Sequence, residues 1–526
     1  MEPACVRMTE LPNTSALFAD YLYNFERVAR FYTHDPHDPE SLRRAAAAID
    51  FPAERRAALV AALGEQNAAG PALEKLAQPG TVAVLTGQQV GLFLGPCYAV
   101  YKALSAIRLA AKLAESGIPA VPVFWLATED HDFDEVNHCW VFDAASQPVR
   151  LELAGDNAAR RPVGGIRIEK APMQALIEAL RGMPFGDQTA ALVAEAYADG
   201  ETLGSAFAKL LRRLLGGQEL LMFDPMHPAS RRLAAPLLAD AVRAMPELTA
   251  QLVERGKELK EAGYHSQVLI EGQTSLVFLL EDGRRLGLRR NGDEFQTGDG
   301  RRISADDLAS RAESLSPNAV LRPVVQDSML PTVAYVGGPA ELAYLAQTQV
   351  LYRQLLGRMP VAVPRASATL LDARAAKLFD RYGLSLPDFF PGENAIRERI
   401  AARLVPPGLA AAIAEARQRV GDAVDSLQGA FGGFDPTLAA AFATSRRKIE
   451  YQMAKTERKV ARESLRRDER ASAETAYVCG LVFPGKHLQE RRYSLIPFVA
   501  RHGEELIGRL AEELGRECAD HRVMVL

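Results

Sequence analysis

The fold of this chain is decided by residues 81–132, which open with Thr81-Val-Ala-Val-Leu85 and the glycine-rich loop Thr86-Gly-Gln-Gln-Val-Gly-Leu-Phe-Leu-Gly-Pro96. A helical pattern follows to about Ser116. A second apolar run, Ile118-Pro-Ala-Val-Pro-Val-Phe-Trp-Leu-Ala127, then ends in Thr128-Glu-Asp-His-Asp132. Strand, loop, helix and strand within about 45 residues is the size of one βαβ unit, which predicts an α/β fold. Ligands of such sheets bind beyond the carboxyl ends of the strands, where both polar motifs fall.

The composition is that of an ordinary folded protein. A length of 526 residues predicts about three units, or two if one of them is large. The net charge of -4 gives no general attraction to nucleic acid or to a membrane. The five cysteines are scattered without CxxC spacing, which is typical of the reducing cytoplasm. The first residues lack an apolar leader, and no run reaches the roughly 18 apolar residues of a membrane span. We therefore expect a cytoplasmic protein with no membrane partner.

Changes in pattern divide the chain. We predict a core over residues 1–390, interrupted by inserted lobes at about 140–220 and 263–310. Within the second lobe, Tyr264–Ile270, Thr274–Leu280 and Arg285–Arg289 have the composition of antiparallel strands joined by turns. We expect residues 391–475 to form an antiparallel helical hairpin and residues 476–526 to return to the core.

The hairpin is predicted from two heptad stripes. Apolar or small residues recur at spacings of 4, 3, 4, 3 and 4 between Leu409 and Leu427, and Phe442, Ile449, Met453 and Val460 continue at 7, 4 and 7. Gly432-Gly433 and Asp435-Pro436 supply the turn. Residues 446–470 hold ten Lys or Arg against five Asp or Glu. An RNA-binding arm is one interpretation of that run, but flanking charges on a solvated coiled coil explain it better.

The glycine-rich loop is a candidate phosphate or nucleotide cradle. Glycine lets the backbone approach a ligand closely, and a helix N-terminus attracts anions. The spacing matches neither a P-loop nor GxGxxG, and a tight βα turn explains it equally well. Tyr98 and Lys102 share one helix face and would point into the same crevice. The candidate binding residues here are Thr86, Gly87, Gln88, Gln89, Gly91, Gly95 and Tyr98, and Lys102 is a candidate catalytic residue.

Thr128-Glu-Asp-His-Asp132 places four ionisable groups in five residues after a strand. Crowded groups at a strand end have shifted pKa values and are candidates for acid and base chemistry. The candidate catalytic residues are Glu129, Asp130, His131 and Asp132, and Asn137 is a candidate binding residue. The alternative is a helix N-cap with acidic residues in its first turn. His131 and His138 match no familiar metal-ligand spacing, so no metal site is predicted.

Two later stretches place further polar groups near the ends of predicted strands. They supply the candidate binding residues Arg322, Gln326, Asp327, Tyr335, Gly337, Gly338 and Glu341. Gly337 and Gly338 allow close approach of a ligand, although a purely structural turn is an equal alternative. Glu341 falls in a first helical turn, where acid complements the helix dipole.

Together these motifs resemble the cysteine ligase family of bacillithiol biosynthesis. The similarity runs in one order from Leu11 to the C-terminus, and it is specific because several long strings of unusual composition coincide. Cys97 and Ser266 stand at positions that look variable in the family. The strings are Thr86 to Pro96, Pro122-Val-Phe-Trp-Leu-Ala-Thr-Glu-Asp-His-Asp132, Tyr264-His-Ser-Gln-Val268, Leu321-Arg-Pro-Val-Val-Gln-Asp327, Tyr335-Val-Gly-Gly-Pro-Ala-Glu341 and Pro484-Gly-Lys-His-Leu-Gln-Glu-Arg491.

The resemblance implies addition of L-cysteine to glucosaminyl malate, with an amide bond to the glucosamine amine. It also implies a Rossmann-like core of the nucleotidylyltransferase type with connecting-peptide insertions, and a coiled coil used for homodimerisation. Amide formation from a carboxylate is uphill, so we expect activation by ATP or another nucleotide. Two alternatives stay open: a nucleotidyl or aminoacyl transferase acting on another small acceptor or RNA, and a nucleotide-binding scaffold without catalysis.

Overall fold

A computed structural model describes residues 4–157, 159–515 and 518–526. Its strands are β1 Ala4–Val6, β2 Val82–Gln88, β3 Ala120–Leu126, β4 His138–Phe142, β5 Pro148–Glu152, β6 Leu221–Phe223, β7 Thr274–Glu281, β8 Arg284–Asn291, β9 Glu294–Thr297, β10 Arg302–Ser304, β11 Leu315–Pro317, β12 Thr332–Gly337, β13 Val361–Pro364, β14 Ser367–Leu371 and β15 His521–Val525. Its helices are α1 Ala16–Tyr23, α2 Glu40–Ala47, α3 Ala53–Gly64, α4 Pro71–Ala77, α5 Tyr98–Glu115, α6 Phe133–Val136, α7 Met173–Leu180, α8 Gly186–Ala196, α9 Leu203–Leu215, α10 Pro228–Arg243, α11 Met245–Glu261, α12 Ala305–Ser310, α13 Arg322–Met329, α14 Pro339–Leu355, α15 Ala373–Tyr382, α16 Glu393–Arg403, α17 Pro407–Phe434, α18 Pro436–Arg467, α19 Glu469–Val482, α20 Gln489–Arg492, α21 Ile496–His502 and α22 Leu506–Leu514.

The centre of the molecule is a parallel sheet in the order β13-β12-β2-β3-β6. β2 and β3 pair from Val82 opposite Ala120 to Gln88 opposite Leu126. Every residue of β3 is buried, which explains its almost unbroken apolar sequence. The predicted βαβ unit, with α5 as its helix, is therefore confirmed, and so is the parallel α/β fold.

The second inserted lobe is an antiparallel sheet in the order β10-β9-β8-β7-β11. The predicted strands at 274–280 and 285–289 are confirmed. The strand predicted at Tyr264–Ile270 is wrong, because that segment is irregular. Its Val268 exchanges backbone hydrogen bonds with the Gln347 side chain, N to Oε1 at 3.0 Å and Nε2 to O at 2.8 Å. A side-chain amide thus takes the place of a neighbouring strand.

The stretch that begins at Arg322 lies on α13, and the prediction that it ends a strand is wrong. Asn318 Oδ1 accepts the backbone N–H of Leu321 at 3.0 Å just before the helix. Pro323 follows in the first turn, where its missing N–H costs nothing. These local signals override the apolar run. The helix leads directly into β12.

The chain ends in a third sheet of order β1-β15-β14. β15 lies antiparallel to β1 and parallel to β14, so both ends of the described chain meet beside the core. Between β14 and β15 the long helices α17 and α18 form the antiparallel hairpin predicted from the heptads. The turn is at Asp435, whose Oδ1 accepts the N–H of Thr437 at 2.7 Å, and α17 continues through Gly432-Gly433.

The hairpin buries only part of the first heptad stripe. Ile413 and Val420 are half-buried, whereas Leu409 and Leu427 are exposed. The second stripe, from Phe442 to Val460, is half-buried throughout. One apolar edge of α17 therefore remains in solvent.

Candidate active site

The carboxyl ends of β2, β3 and β12 open onto a cavity of about 630 Å³. This is the position predicted for a ligand of a parallel sheet. The cavity lies between the sheet, the second inserted lobe and the start of α14. Of the predicted site residues, those that line it are Gly87, Gln88, Gln89, Tyr98, Lys102, Glu129, Asp130, His131, Arg322, Tyr335, Gly338 and Glu341.

Lys102 lies on the floor of the cavity, where its side chain is 3% exposed. Its Nζ donates to Gly87 O at 2.9 Å and to Gln88 Oε1 at 2.8 Å, and it forms an ion pair with Glu341. Burial lowers the pKa of Lys102, and the carboxylate of Glu341 opposes that shift. The end of β2 and the start of α14 are thereby joined through one ammonium group.

Glu341 is fixed by three donors. Besides Lys102, Tyr335 Oη donates to its Oε1 at 2.6 Å and the backbone N–H of Gly338 donates to its Oε2 at 2.8 Å. Burial alone would raise the pKa of Glu341, but Lys102 and the hydrogen bonds outweigh it and lower the pKa. A Cβ at Gly337 would meet Leu342 Cδ1 at 2.8 Å, so this glycine allows the tight turn that places Glu341. Gly337 itself does not line the cavity.

Arg322 contributes a guanidinium to the same wall. Its Nη2 donates to Tyr344 Oη at 2.8 Å and its Nη1 to Gln326 Oε1 at 3.0 Å. Gln326 and Asp327 are fully buried behind it and do not line the cavity. Asp327 is held by the Tyr352 hydroxyl and by Gln326 Nε2. Arg322 therefore faces the cavity, whereas Gln326 and Asp327 lie behind it in the core.

Two arginines outside the predicted set complete this end of the cavity. Arg365 lies 5.2 Å from the centroid of the Tyr98 ring and is held by Glu490. Arg491, an exposed residue of α20, also lines the cavity. With Lys102 and Arg322 they make this wall cationic. We call Lys102, Arg322, Arg365 and Arg491 the cationic wall.

Another part of the lining follows β3 and contains a buried carboxylate. Glu129 is 3% exposed; its Oε2 accepts from Ser316 Oγ at 2.9 Å, and its Oε1 has no hydrogen-bond partner among the described residues. Burial raises the pKa of Glu129, although Arg285 and Arg231 oppose the shift. Two further atoms of the cavity lining, Trp125 Nε1 and Gln89 Oε1, also lack hydrogen-bond partners in the part of the chain that the structure describes. A buried oxygen without a partner is costly in a folded protein and marks a place for a ligand donor.

Asp130 and His131 are held by residues from outside their loop. Asp130 Oδ2 accepts from Gln89 Nε2 at 2.8 Å, and its Oδ1 accepts from Arg285 Nη1 at 3.0 Å. The His131 ring lies between Arg285 and Arg160. Asp130 is therefore already neutralised by protein, whereas Glu129 retains a free oxygen.

Asp132 and Asn137 lie outside the cavity lining. Asp132 is exposed and caps α6 by accepting the backbone N–H of Glu135 at 3.3 Å. This is the helix-cap alternative derived from the sequence. Asn137 is buried, and its Oδ1 lies 3.0 Å from His138 Nδ1.

In the second half of the glycine-rich loop, other parts of the protein occupy the backbone hydrogen-bonding groups. The backbone N–H of Phe93 donates to Tyr197 Oη at 2.8 Å, and its carbonyl accepts from Ser494 Oγ at 2.8 Å. The backbone N–H of Cys97, at the start of α5, donates to Tyr493 O at 2.7 Å. A Cβ on Gly91 would approach Gly95 Cα to 3.4 Å, and Gly95 has a φ of +56°, so both residues serve the turn. No phosphate cradle is formed there.

Thr86 is also structural, because its Oγ1 donates to Val336 O at 2.8 Å between β2 and β12. The sequence reasoning missed Arg285, Tyr344, Arg365 and Arg491. Arg365 follows directly after Val361-Ala-Val-Pro364, which has the composition of a short strand, and the strand-end rule could have found it. Arg491 closes one of the strings quoted above. Arg285 lies in a strand of an inserted lobe, and no sequence signal pointed to it.

No group of three or more His, Cys, Asp or Glu side chains in the described ranges is placed to hold a metal ion. The helices in the described part of the chain include none that is long and apolar enough to cross a membrane.

Known proteins match the whole chain. Residues 1–366 match the family model "Bacillithiol biosynthesis BshC, N-terminal Rossmann-like domain". Residues 368–526 match "Bacillithiol biosynthesis BshC, C-terminal coiled-coil domain". Three similar proteins carry the name "Putative cysteine ligase BshC". The protein from Solibacter usitatus is 56% identical over 526 residues, all of both chains. The Koribacter versatilis protein is 35% identical over 537 residues, again all of both chains, and the Salinibacter ruber protein is 31% identical over 527 residues, 97% of this chain and 96% of its own. This chain belongs to the bacillithiol biosynthesis BshC family.

Proposed function

We propose that this protein is a ligase that joins the carboxyl group of L-cysteine to the amine of glucosaminyl malate. The name of its relatives supports a cysteine ligase. The observation that carries the proposal is that one cavity lining holds both a buried carboxylate and a group of cations. The carboxylate is Glu129, with its free Oε1, and the cations are those of the cationic wall. The substrates offer an ammonium group and carboxylates, which match these two kinds of group in charge.

Glu129 is the group we assign to the attacking amine. A protonated amine has no lone pair and cannot attack a carbonyl carbon, so it must first give up a proton. The Glu129 Oε1 can accept an N–H, and its raised pKa makes the carboxylate a better proton acceptor near neutral pH. Asp130 is less suited because Arg285 and Gln89 already occupy its oxygens. Asp132 is a helix cap.

The cationic wall is the part we assign to anionic groups. Amide formation forms the C–N bond, breaks the bond between the acyl carbon and its leaving group, and releases one proton from the amine. The leaving group departs with the bonding electrons, so negative charge grows as it leaves. Preorganised cations and N–H donors are the usual means of stabilising such charge. Lys102 and Arg322 are fixed in place by Glu341 and Tyr344, and need little rearrangement to do so.

We assign the activating co-substrate to the same wall. Activation of a carboxylate needs a leaving group, which a nucleoside triphosphate such as ATP would supply as phosphate or AMP. The cations that would hold its phosphates are Lys102, Arg322, Arg365 and Arg491. The malyl carboxylates are also anionic and would bind the same cations. We therefore expect the nucleotide and glucosaminyl malate to occupy different parts of the wall.

We also propose that two copies of the chain associate through the hairpin. Leu409 and Leu427, on the edge of α17 that α18 leaves uncovered, are 44% and 49% exposed. Several basic side chains of the hairpin have acidic partners within the chain: Arg446 bonds to Asp425 and Glu450, and Arg462 to Glu398. This weakens the case for an RNA-binding arm.

The test is low-molecular-weight thiol profiling by labelling and mass spectrometry, in a host that makes glucosaminyl malate but lacks its own cysteine-adding enzyme. We expect bacillithiol with the intact protein and a loss of about a hundredfold or more with Glu129→Gln, the size of a general-base contribution. Asp134→Asn, exposed and outside the cavity lining, is the matched control and should keep the activity. Accumulation of glucosaminyl malate with the intact, folded protein and ample cysteine would contradict the proposal and favour a transferase or scaffold.

A further inference from the structure

Arg285 reaches the cavity from the second inserted lobe, on β8. Its side chain is 7% exposed. Nε donates to Ser316 Oγ at 3.1 Å, Nη2 donates to Pro317 O at 2.9 Å, and the guanidinium carbon lies 3.9 Å from the Phe278 ring centroid. These contacts, all within the lobe, fix the guanidinium. The remaining nitrogen, Nη1, points out of the lobe toward the end of β3.

Nη1 of Arg285 meets the loop after β3 at two atoms. It lies 3.0 Å from Asp130 Oδ1 and 3.1 Å from His131 Nδ1. On the far side of the ring, Arg160 Nη2 lies 2.6 Å from His131 Nε2. The two arginines are tied together, because the backbone N–H of Arg285 donates to Arg160 O at 2.9 Å. Both ring nitrogens of His131 therefore face guanidinium N–H groups.

This arrangement selects one charge state of the ring. Imidazolium carries an N–H on each nitrogen and can accept no hydrogen bond, whereas neutral imidazole has one acceptor nitrogen. A protonated His131 would set N–H against N–H on both sides, next to two positive charges. The carboxylates of Asp130 and Asp132, on its own loop, are the groups that oppose this. Of these two, Asp130 has its Oδ1 3.5 Å from His131 Nδ1. The uncharged ring of Phe278 lies 5.9 Å away between centroids.

We propose that Arg285 is a positioning residue that holds His131 neutral and fixes the orientation of its ring in the cavity. The inserted lobe thus sets the protonation state of a group on the parallel sheet. A His131 that is held neutral cannot serve as a permanent cation in the cavity. Burial, Arg285 and Arg160 act in the same direction by lowering the pKa of His131. The inference deepens the proposed ligase function, but its primary measurement needs no substrate.

The experiment is an NMR pH titration of the full-length protein with ¹³C-labelled histidine. The chain has nine histidines, and comparison with His131→Gln assigns the signal of His131. In the unaltered protein we expect His131 to titrate below the ordinary value of about 6.5. Arg285→Gln removes one positive charge and should raise that midpoint by about one unit. Arg289→Gln is the control: it removes an exposed arginine from the same strand and should leave the midpoint in place.

Two results would overturn the inference. One is a His131 midpoint at or above about 6.5 in the unaltered protein. The other is an unchanged midpoint in folded Arg285→Gln. If that variant fails to fold, the first result still decides, and Arg160→Gln tests the other ring nitrogen, where we expect a rise as well. If the His131 midpoint is lowered but the protein makes no bacillithiol, the ligase proposal is wrong and the role of Arg285 stands. If the midpoint is ordinary but the protein makes bacillithiol, only the role of Arg285 is wrong.

Discussion

Glu490 accepts two hydrogen bonds from Arg365, Oε1 from Nη2 at 2.7 Å and Oε2 from Nη1 at 3.0 Å. The side chains of Glu490 and Arg365 are 1% and 4% exposed. Oε1 also accepts from Ser367 Oγ at 2.9 Å and Oε2 from the backbone N–H of Ala368 at 3.0 Å. The pair joins α20, near the C-terminus, to the end of β13. A segment after the coiled-coil hairpin thereby holds one guanidinium of the candidate active site.

Removing the charge of Glu490 should destabilise the fold and loosen the cavity. Glu490→Gln leaves the Arg365 guanidinium buried without a counter-ion, which typically costs about 3 to 5 kcal/mol. The measurement is the free energy of unfolding from urea titration at neutral pH. Glu504→Gln, which breaks the exposed pair with Arg213, should cost less than about 1 kcal/mol. Equal losses in the two variants would contradict this account.

The same pair predicts a pH dependence. Burial alone would raise the pKa of Glu490, but Arg365 outweighs it and lowers the pKa to about 2. The unfolded chain has a Glu pKa of about 4.3, so the stabilisation is complete well above that value and is lost as the pH falls toward about 2. The difference is worth about 3 kcal/mol. The gap in unfolding free energy between the unaltered protein and Glu490→Gln should therefore be constant at pH 6 to 8 and shrink below about pH 4.

Lys102 and Glu341 should show strong energetic coupling. Lys102→Met removes the ammonium and strands a buried carboxylate, and Glu341→Gln does the converse, so each should cost several kcal/mol. The double variant leaves no unpaired charge and should be more stable than the sum of the two losses predicts, with a coupling of about 1 to 3 kcal/mol. Urea unfolding of the four proteins measures it. Strict additivity would show that the ion pair contributes little.

Gly87 should not tolerate a side chain. A Cβ there would lie 2.8 Å from Trp125 O and 2.9 Å from Trp125 Cβ, so β2 and β3 would have to separate. We expect Gly87→Ala to lower the free energy of unfolding by about 1 to 3 kcal/mol, as overpacking of a core typically does. The change should also shift residue 87 itself, which lines the cavity. Gly421→Ala is the matched control, because a Cβ at that helical position meets nothing within 4 Å. It should stabilise the helix by up to about 1 kcal/mol.

The proposed dimer can be tested on the uncovered edge of α17. Leu409→Glu combined with Leu427→Glu places charge at the two exposed leucines and should convert a dimer to a monomer with an unchanged circular dichroism spectrum. Sedimentation equilibrium measures the mass. Arg419→Glu, on the same helix and 76% exposed, should leave the mass unchanged. A monomeric unaltered protein at micromolar concentration would remove the dimer proposal.

The sequence by itself determined the elements that depend on near neighbours. The apolar runs at 81–85 and 118–127, the helix between them and the two hairpin helices are fixed by local periodicity, and the structure contains all of them. The strand-end rule also placed Gln88 and Glu129 in the cavity lining, and the shared helix face with Tyr98 placed Lys102 there. Where local signals conflict, as at Tyr264–Ile270 and at Arg322, the sequence interpretation failed, because a distant side chain or a nearby cap decided the backbone.

Only the tertiary structure decided which polar residues face one another. Arg285 meets Asp130 across 155 positions of sequence, and Glu490 meets Arg365 across 125. The crowded Glu129 to Asp132 cluster looks uniform as a string, yet Glu129 is buried with a free oxygen, Asp130 is paired and Asp132 caps a helix. The physical reason is that burial and charge pairing are set by elements brought in from elsewhere in the chain, whereas propensity and periodicity are set by residues a few positions away.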